Sequence, residues 1–208
     1  LLFQFGSSEP EDEGTPELSD YARKALEEFL RERSEQRNPA VIEEDWQLSQ
    51  FWYSDETALT LAREALRAAE GGKIVCISCP TLYQKLKELD CGNEVVLLEF
   101  DKRFECYGDE FVFYDYKDPL GIRERWKGKC EVVVLDPPFL SEECLAKTSQ
   151  TVKFLNPKFM ILCTGTVMEP HAQSLLGLRP CKFKPTHTRK LGNEFKCFAN
   201  YDMDKFCN

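Results

Sequence analysis

Asp136-Pro137-Pro138-Phe139 stands directly after the apolar run EVVVL. Two adjacent prolines fix φ and remove two backbone donors, while their carbonyls stay free to accept hydrogen bonds. Asp136 adds a carboxylate acceptor, and Phe139 adds a flat aromatic face. Together they make an acceptor-lined slot with one aromatic wall. Such a slot suits an amino group that must donate its hydrogens and aim its lone pair. The plain alternative is a rigid strand-to-helix turn, because Asp and Pro are both common in turns. The position after an apolar strand and before a capped helix favours the chemical reading.

Two further apolar runs also end in acid. VVLLEFDKRF carries Glu99 and Asp101, and FVFYDY carries Asp115 followed by Tyr116. A carboxylate at the first of these ends suits the two hydroxyls of a ribose. Asp115 is placed to accept from an adenine amino group. Alone, each acid reads equally well as a solvated strand end, and the weight lies in three successive ends. The first strand ends in Ser78-Cys79-Pro80-Thr81, with no glycine-rich loop. Pyrophosphate needs glycines for close backbone approach, so dinucleotides and nucleoside triphosphates are disfavoured. A phosphate-free nucleoside such as S-adenosylmethionine fits better. Pro80 at the first helical position leaves backbone N–H groups to meet its carboxylate. Upstream, WQLSQFWYSDET follows neither the helical nor the strand period. It reads as a segment packed over the sheet or as a lid on the ligand, with Trp52, Tyr53 and Thr57 near the methionine part.

These groups need a scaffold. Apolar spacing predicts helices from 18 to near 38, and over 54–69, 81–89, 141–154 and 167–176, with a short one over 122–126. Ser141 is the expected cap of the fourth, with Glu142 and Glu143 favouring its first turn. Strands are expected over 73–77, 95–99, 111–114, 132–135, 159–163, 181–183 and 195–201. The strands are short and continuously apolar, as in sheets covered by helices on both faces. Alternating strand and helix predicts an α/β fold with a mostly parallel, doubly wound sheet and an N-terminal helical extension. In such sheets ligands bind beyond the carboxyl ends of the strands, where the polar residues above gather.

The 208 residues suffice for one sizeable core. Residues 1–14 are expected to be a disordered lead-in or a remnant of the expression vector. Residues 15–53 should form the helix and aromatic lid segment, and 54–208 the catalytic domain. No run is apolar enough for a membrane span, no secretion signal is evident, and a cytoplasmic monomer is expected. The formal net charge of −9 disfavours a nucleic-acid partner, because phosphate binding draws on basic surface. The ten cysteines then read as reduced thiols. Cys76 and Cys79 form a lone CxxC, and the histidines, His171 and His187, lie far apart. No metal site is expected.

The acids after the second and third strands, the DPPF motif after the fourth and the aromatic segment before the first resemble the class I S-adenosylmethionine-dependent methyltransferases that modify nitrogen. The runs IEEDWQLSQFWYSDETA, EFDKRF, LDPPFLSEECLAKT, ILCTG and NEFKCFANYD are similar to the lysine methyltransferases of eukaryotic elongation factor 1A. That family was earlier described as N6-adenine-specific DNA methyltransferases. The resemblance covers nearly the whole chain from about residue 16. It implies a seven-stranded Rossmann-like fold, S-adenosylmethionine as methyl donor, and a protein substrate, elongation factor 1A. Two departures stand out: SCPT replaces the glycine-rich first loop of many relatives, and Phe139 replaces a frequent Tyr. Two other functions are weighed against this one. An adenine N6-methyltransferase would use the same slot, and Lys182, Lys184, His187, Arg189 and Lys190 form a basic run able to touch phosphates. A non-catalytic binding module is disfavoured by the intact DPPF.

Overall fold

The strands form one seven-stranded sheet in the order β3-β2-β1-β4-β5-β7-β6. They are β1 (Ile74–Ile77), β2 (Val95–Glu99), β3 (Phe111–Phe113), β4 (Val132–Leu135), β5 (Phe159–Gly165), β6 (Arg179–Pro180) and β7 (Phe195–Ala199). The first five are mutually parallel, and β7 runs antiparallel to both neighbours. The computed structural model describes residues 42–90, 92–122 and 124–205, together with Lys24. The helix expected from 18 to near 38 lies, except for Lys24, outside the described residues, as does the lead-in over 1–14. Residues 42–53 belong to the same compact unit as the sheet, Val41–Asn208.

Strand side chains alternate between two cores. Ile74, Cys76, Leu97, Val132 and Val134 face α1 (Asp55–Ala69) and α2 (Pro80–Leu89). Val75, Ile77, Leu98, Val133 and Leu135 face the layer of α3 (Glu142–Leu155) and α4 (Glu169–Leu176). Both sheet faces are thus dry, which is why the strands lack polar alternation. The caps follow the sequence. Ser54 Oγ accepts from the Thr57 N–H at 3.2 Å, and Ser141 Oγ accepts from the Cys144 N–H at 3.2 Å. The result is a Rossmann-like, doubly wound architecture.

Register decides where the polar residues meet. Ile77 pairs with Leu98 on one side and with Leu135 on the other. The next residue of each strand is therefore Ser78, Glu99 or Asp136, side by side at one end of the sheet. Here β1 is flanked by β2 and β4, the point where successive crossovers turn in opposite directions. A crevice must open there.

The expected elements depart from the structure in four places. The 122–126 helix is a single 3₁₀ turn, Glu124–Trp126. The 167–176 helix begins as a 3₁₀ turn, Thr166–Met168, and becomes α-helical only at Glu169. The strand expected over 181–183 is displaced to Arg179–Pro180. Pro180 brings no donor and suits an edge. After one further bond, Cys181 N–H to Cys197 O at 2.9 Å, the chain leaves the sheet to pair residues 186–188 with 52–54. A 3₁₀ run over Lys102–Glu110, kinked at Gly108 (φ 60°), has no periodic signal in the sequence.

Leu135 is fully buried one residue before the DPPF motif. Leu135→Ala is expected to lower the unfolding free energy by about 2–5 kcal/mol. Urea denaturation checks this, and a loss below about 1 kcal/mol would contradict the packed-strand account.

Candidate active site

A cavity of about 450 Å³ opens at the carboxyl ends of β1, β2, β3 and β4. Its floor carries Ser78, Cys79, Glu99, Asp115, Tyr116 and Asp136. Pro137, Pro138 and Phe139 form one wall, and Trp52 and Tyr53 belong to the segment above it. Asp101 and Thr57, also expected at the ligand, do not line it. Asp101 is buried beneath the loop after β2, where its carboxylate accepts from Gln50 Nε2 at 2.9 Å and from Arg103 Nε at 2.8 Å. Burial raises its pKa, but Arg103 and Gln50 outweigh burial and hold it below the usual value. Thr57 ties α1 to Thr186, accepting from the Thr186 N–H at 2.9 Å.

Glu99 ends β2 almost fully buried. Its Oε1 accepts from the N–H groups of Phe100 at 2.9 Å and Asp101 at 3.1 Å. Burial pushes its pKa up to about 7 against the pull of those donors. Gln50 helps to hold it down as well, and the carboxylate lines the cavity. Asp115 Oδ1 takes the Lys117 N–H at 2.9 Å, which leaves Oδ2 for a further donor. Tyr116 sets its ring edge-on to Phe139, with centroids 5.7 Å apart. Ser78 adopts φ 55°, a left-handed conformation that favours glycine. The SCPT loop therefore makes the tight turn that a glycine usually makes.

Asp136 follows β4 with its N–H bonded to Ile77 O at 3.0 Å. Burial pushes its carboxyl up to about 7 from an ordinary 3.8. The Tyr53 hydroxyl pulls it down, and the Glu99 charge pushes it up. The Tyr53 Oη is itself buried and closes no hydrogen bond among the described residues. Leaving a buried hydroxyl unpaired costs about 1–3 kcal/mol. Behind the motif, Gly165 admits Leu140, since a Cβ there would lie 2.8 Å from Leu140 Cδ1.

The cavity roof comes from two distant segments. Ser54 N–H donates to Thr186 O at 2.9 Å, and Thr188 N–H donates to Trp52 O at 2.9 Å. Glu44 clamps them, its Oε1 accepting from the Trp52 N–H at 2.7 Å and from Thr188 Oγ1 at 3.0 Å. Its Oε2 meets Arg189 Nε at 3.1 Å. His187 lies between Tyr53 and Phe195, with centroids at 5.4 and 4.8 Å. Burial lowers its pKa, so it is neutral more readily than a free histidine. His187, Asn193 and Phe195 line the cavity and were not singled out as ligand contacts from the sequence. Two members of the basic run are paired at the surface. Arg189 pairs with Glu44, and Lys184 pairs with Glu194 at 2.9 Å.

The raised Asp136 pKa has a definite sign. The folded protein holds this proton more tightly than the unfolded chain does. Its contribution to stability is full below about pH 3.8 and is lost as pH rises through about 7. The melting-temperature difference between Asp136→Asn and the unsubstituted protein should therefore grow in the variant's favour from pH 4 to pH 8. A difference independent of pH would contradict the burial of this charge.

A profile of the family described as "Probable N6-adenine methyltransferase" matches residues 44–203. EEF1A lysine methyltransferase 1 of Homo sapiens is 52 % identical over 211 residues, spanning 96 % of this chain and 99 % of its own length. Protein-lysine N-methyltransferase CG9154 of Drosophila melanogaster is 42 % identical over 208 residues, spanning 87 % of this chain and 92 % of its own. Among solved structures, the branched-chain polyamine synthase of Thermus thermophilus superposes with a TM-score of 0.58 at 16 % identity. That match covers 85 % of this chain and 62 % of the synthase, and it bears on the fold alone. The sheet order, the crevice at its switch point and identity over nearly the full length of the human relative agree: the chain belongs to the family of EEF1A lysine methyltransferase 1.

Proposed function

We propose that this chain transfers methyl groups from S-adenosylmethionine to the side-chain nitrogen of a lysine on elongation factor 1A. The observation that carries the reading is the half-buried Asp136, which lines the cavity together with Pro137, Pro138 and Phe139. The cavity chemistry fits the donor molecule. Glu99 and Asp115 offer carboxylate acceptors suited to ribose hydroxyls and an adenine amino group. When bound, the donor supplies a sulfonium-activated methyl group, which passes to nitrogen as the C–S bond breaks and leaves its electron pair on sulfur.

The chain's own residues have a narrower task. A lysine amine has an ordinary pKa of about 10.4, so its neutral form costs roughly 4.6 kcal/mol at pH 7. Desolvation in the cavity lowers that cost by disfavouring the charged form. Asp136 accepts from the amine hydrogens and orients the lone pair, and it stabilises the cationic product. The departing proton goes to water. Phe139 offers its face to the developing cation. Most of the acceleration then comes from alignment of the two reactants.

The pairing of Arg189 with Glu44 and of Lys184 with Glu194 weighs against the adenine reading, because it offsets two charges of the basic run with carboxylates. A protein substrate, a cytoplasmic location and a monomeric state complete the proposal.

Asp136→Ala is expected to reduce methyl transfer to elongation factor 1A at least 100-fold while changing the S-adenosylmethionine Kd by less than about threefold. Mass spectrometry of tryptic peptides and calorimetric titration measure the two quantities. Retention of wild-type turnover would overturn the slot mechanism.

A further inference from the structure

Tyr53 holds a buried hydroxyl that closes no hydrogen bond among the described residues, although the Asp136 carboxyl stands near it. The side chain is only 3 % exposed, lines the cavity, and closes no hydrogen bond through Oη among the described residues. Buried hydroxyls in folded proteins are nearly always paired, so an orphan calls for an explanation. Loose packing does not provide one. Tyr53 is bridged to His187 through the backbone, and its ring rests against the His187 ring at 5.4 Å. The neighbours Trp52 and Ser54 are fixed to residues 188 and 186 by backbone bonds, and Glu44 locks the Trp52 N–H. The hydroxyl is therefore held where it stands. It lies close enough to the Asp136 carboxyl to lower its pKa.

We propose that Tyr53 is a positioning residue for the acceptor amine: once the lysine nitrogen is in place, its Oη donates to the Asp136 carboxylate and accepts an N–H of that nitrogen. A phenol suits this double task, having one donor and free lone pairs. Burial and the adjacent Asp136 raise the Tyr53 pKa well above 10, so the phenol keeps its proton and exchanges none with the amine. Asp136 and Tyr53 then hold two amine hydrogens, and the nitrogen lone pair is left pointing in one direction. The inference rests on the proposed amine methylation and deepens it, because it moves Tyr53 from the methionine part of the donor to the nucleophile.

Tyr53→Phe removes one oxygen and keeps the ring contacts. Three measurements on the full chain are needed: turnover on intact elongation factor 1A, calorimetric binding of S-adenosylmethionine, and thermal melting. The expected result is a kcat at least tenfold lower, a donor Kd within twofold of wild type, and a melting temperature unchanged or raised. The melting result, read without the lysine substrate, sets this role apart from a structural one, since the unliganded fold closes no bond through this hydroxyl. A kcat within twofold of wild type overturns the inference. So does a donor Kd weakened tenfold with kcat retained at saturation, which assigns the hydroxyl to the donor. A melting temperature lowered by several degrees overturns it as well, by assigning the hydroxyl to the fold. If the unsubstituted protein methylates no lysine, the underlying reading fails and takes this inference with it. An active wild type beside an equally active variant refutes the inference alone.

Discussion

A carboxylate drawn partly out of water at the end of β4 costs free energy, and the architecture is arranged around keeping it there. Asp136 is one residue past a fully buried strand, and its N–H is bonded to β1. It cannot swing into solvent without breaking the β1–β4 register. Two prolines then stiffen the chain beyond it. Glu99 arrives at the same sheet end, across β1, because the same register fixes β2; burial pushes both acids up toward neutrality, and the Glu99 charge pushes Asp136 further. Such a site favours a ligand that brings a positive charge or several donors. A lysine amine beside a sulfonium does both.

The roof is a second constraint, and it explains the acidic balance locally. Glu44 is buried between residues 52 and 188–189, far apart in sequence. It satisfies a backbone N–H, a hydroxyl and a guanidinium at once. Charges that look like a phosphate-binding run in the sequence thus join the lid to the domain. The Gln50–Asp101–Arg103 network does the same on the other flank, and it uses an acid that resembles a ligand contact when read as sequence.

Much of this was legible in the residues. Continuous apolar runs bounded by helical periods gave the first five strands to within one or two residues, because burial on both faces leaves no room for polar alternation. DPPF and the strand-end acids pointed to the crevice because register follows from equal strand lengths. What stayed hidden depends on contacts distant in sequence. Asp101 and Glu99 are separated by one residue, yet only the fold shows that Gln50 and Arg103 claim one and leave the other in the cavity. Thr57 looked like a ligand contact, but pairing with Thr186 uses its hydroxyl. His187 enters the cavity on an irregular loop whose path is set by residues 52–54, and Phe195 enters it at the start of β7. Ser78 in a left-handed turn could not be read either, since the usual signal there is glycine.

The central claim is that the slot at the end of β4 serves a lysine nitrogen and not an adenine. The most direct measurement offers both acceptors together. The purified full chain is incubated with methyl-labelled S-adenosylmethionine, elongation factor 1A and double-stranded DNA, and the labelled products are hydrolysed and separated. The account predicts label in methyllysine only. Label in N6-methyladenine, with none in methyllysine, would contradict it.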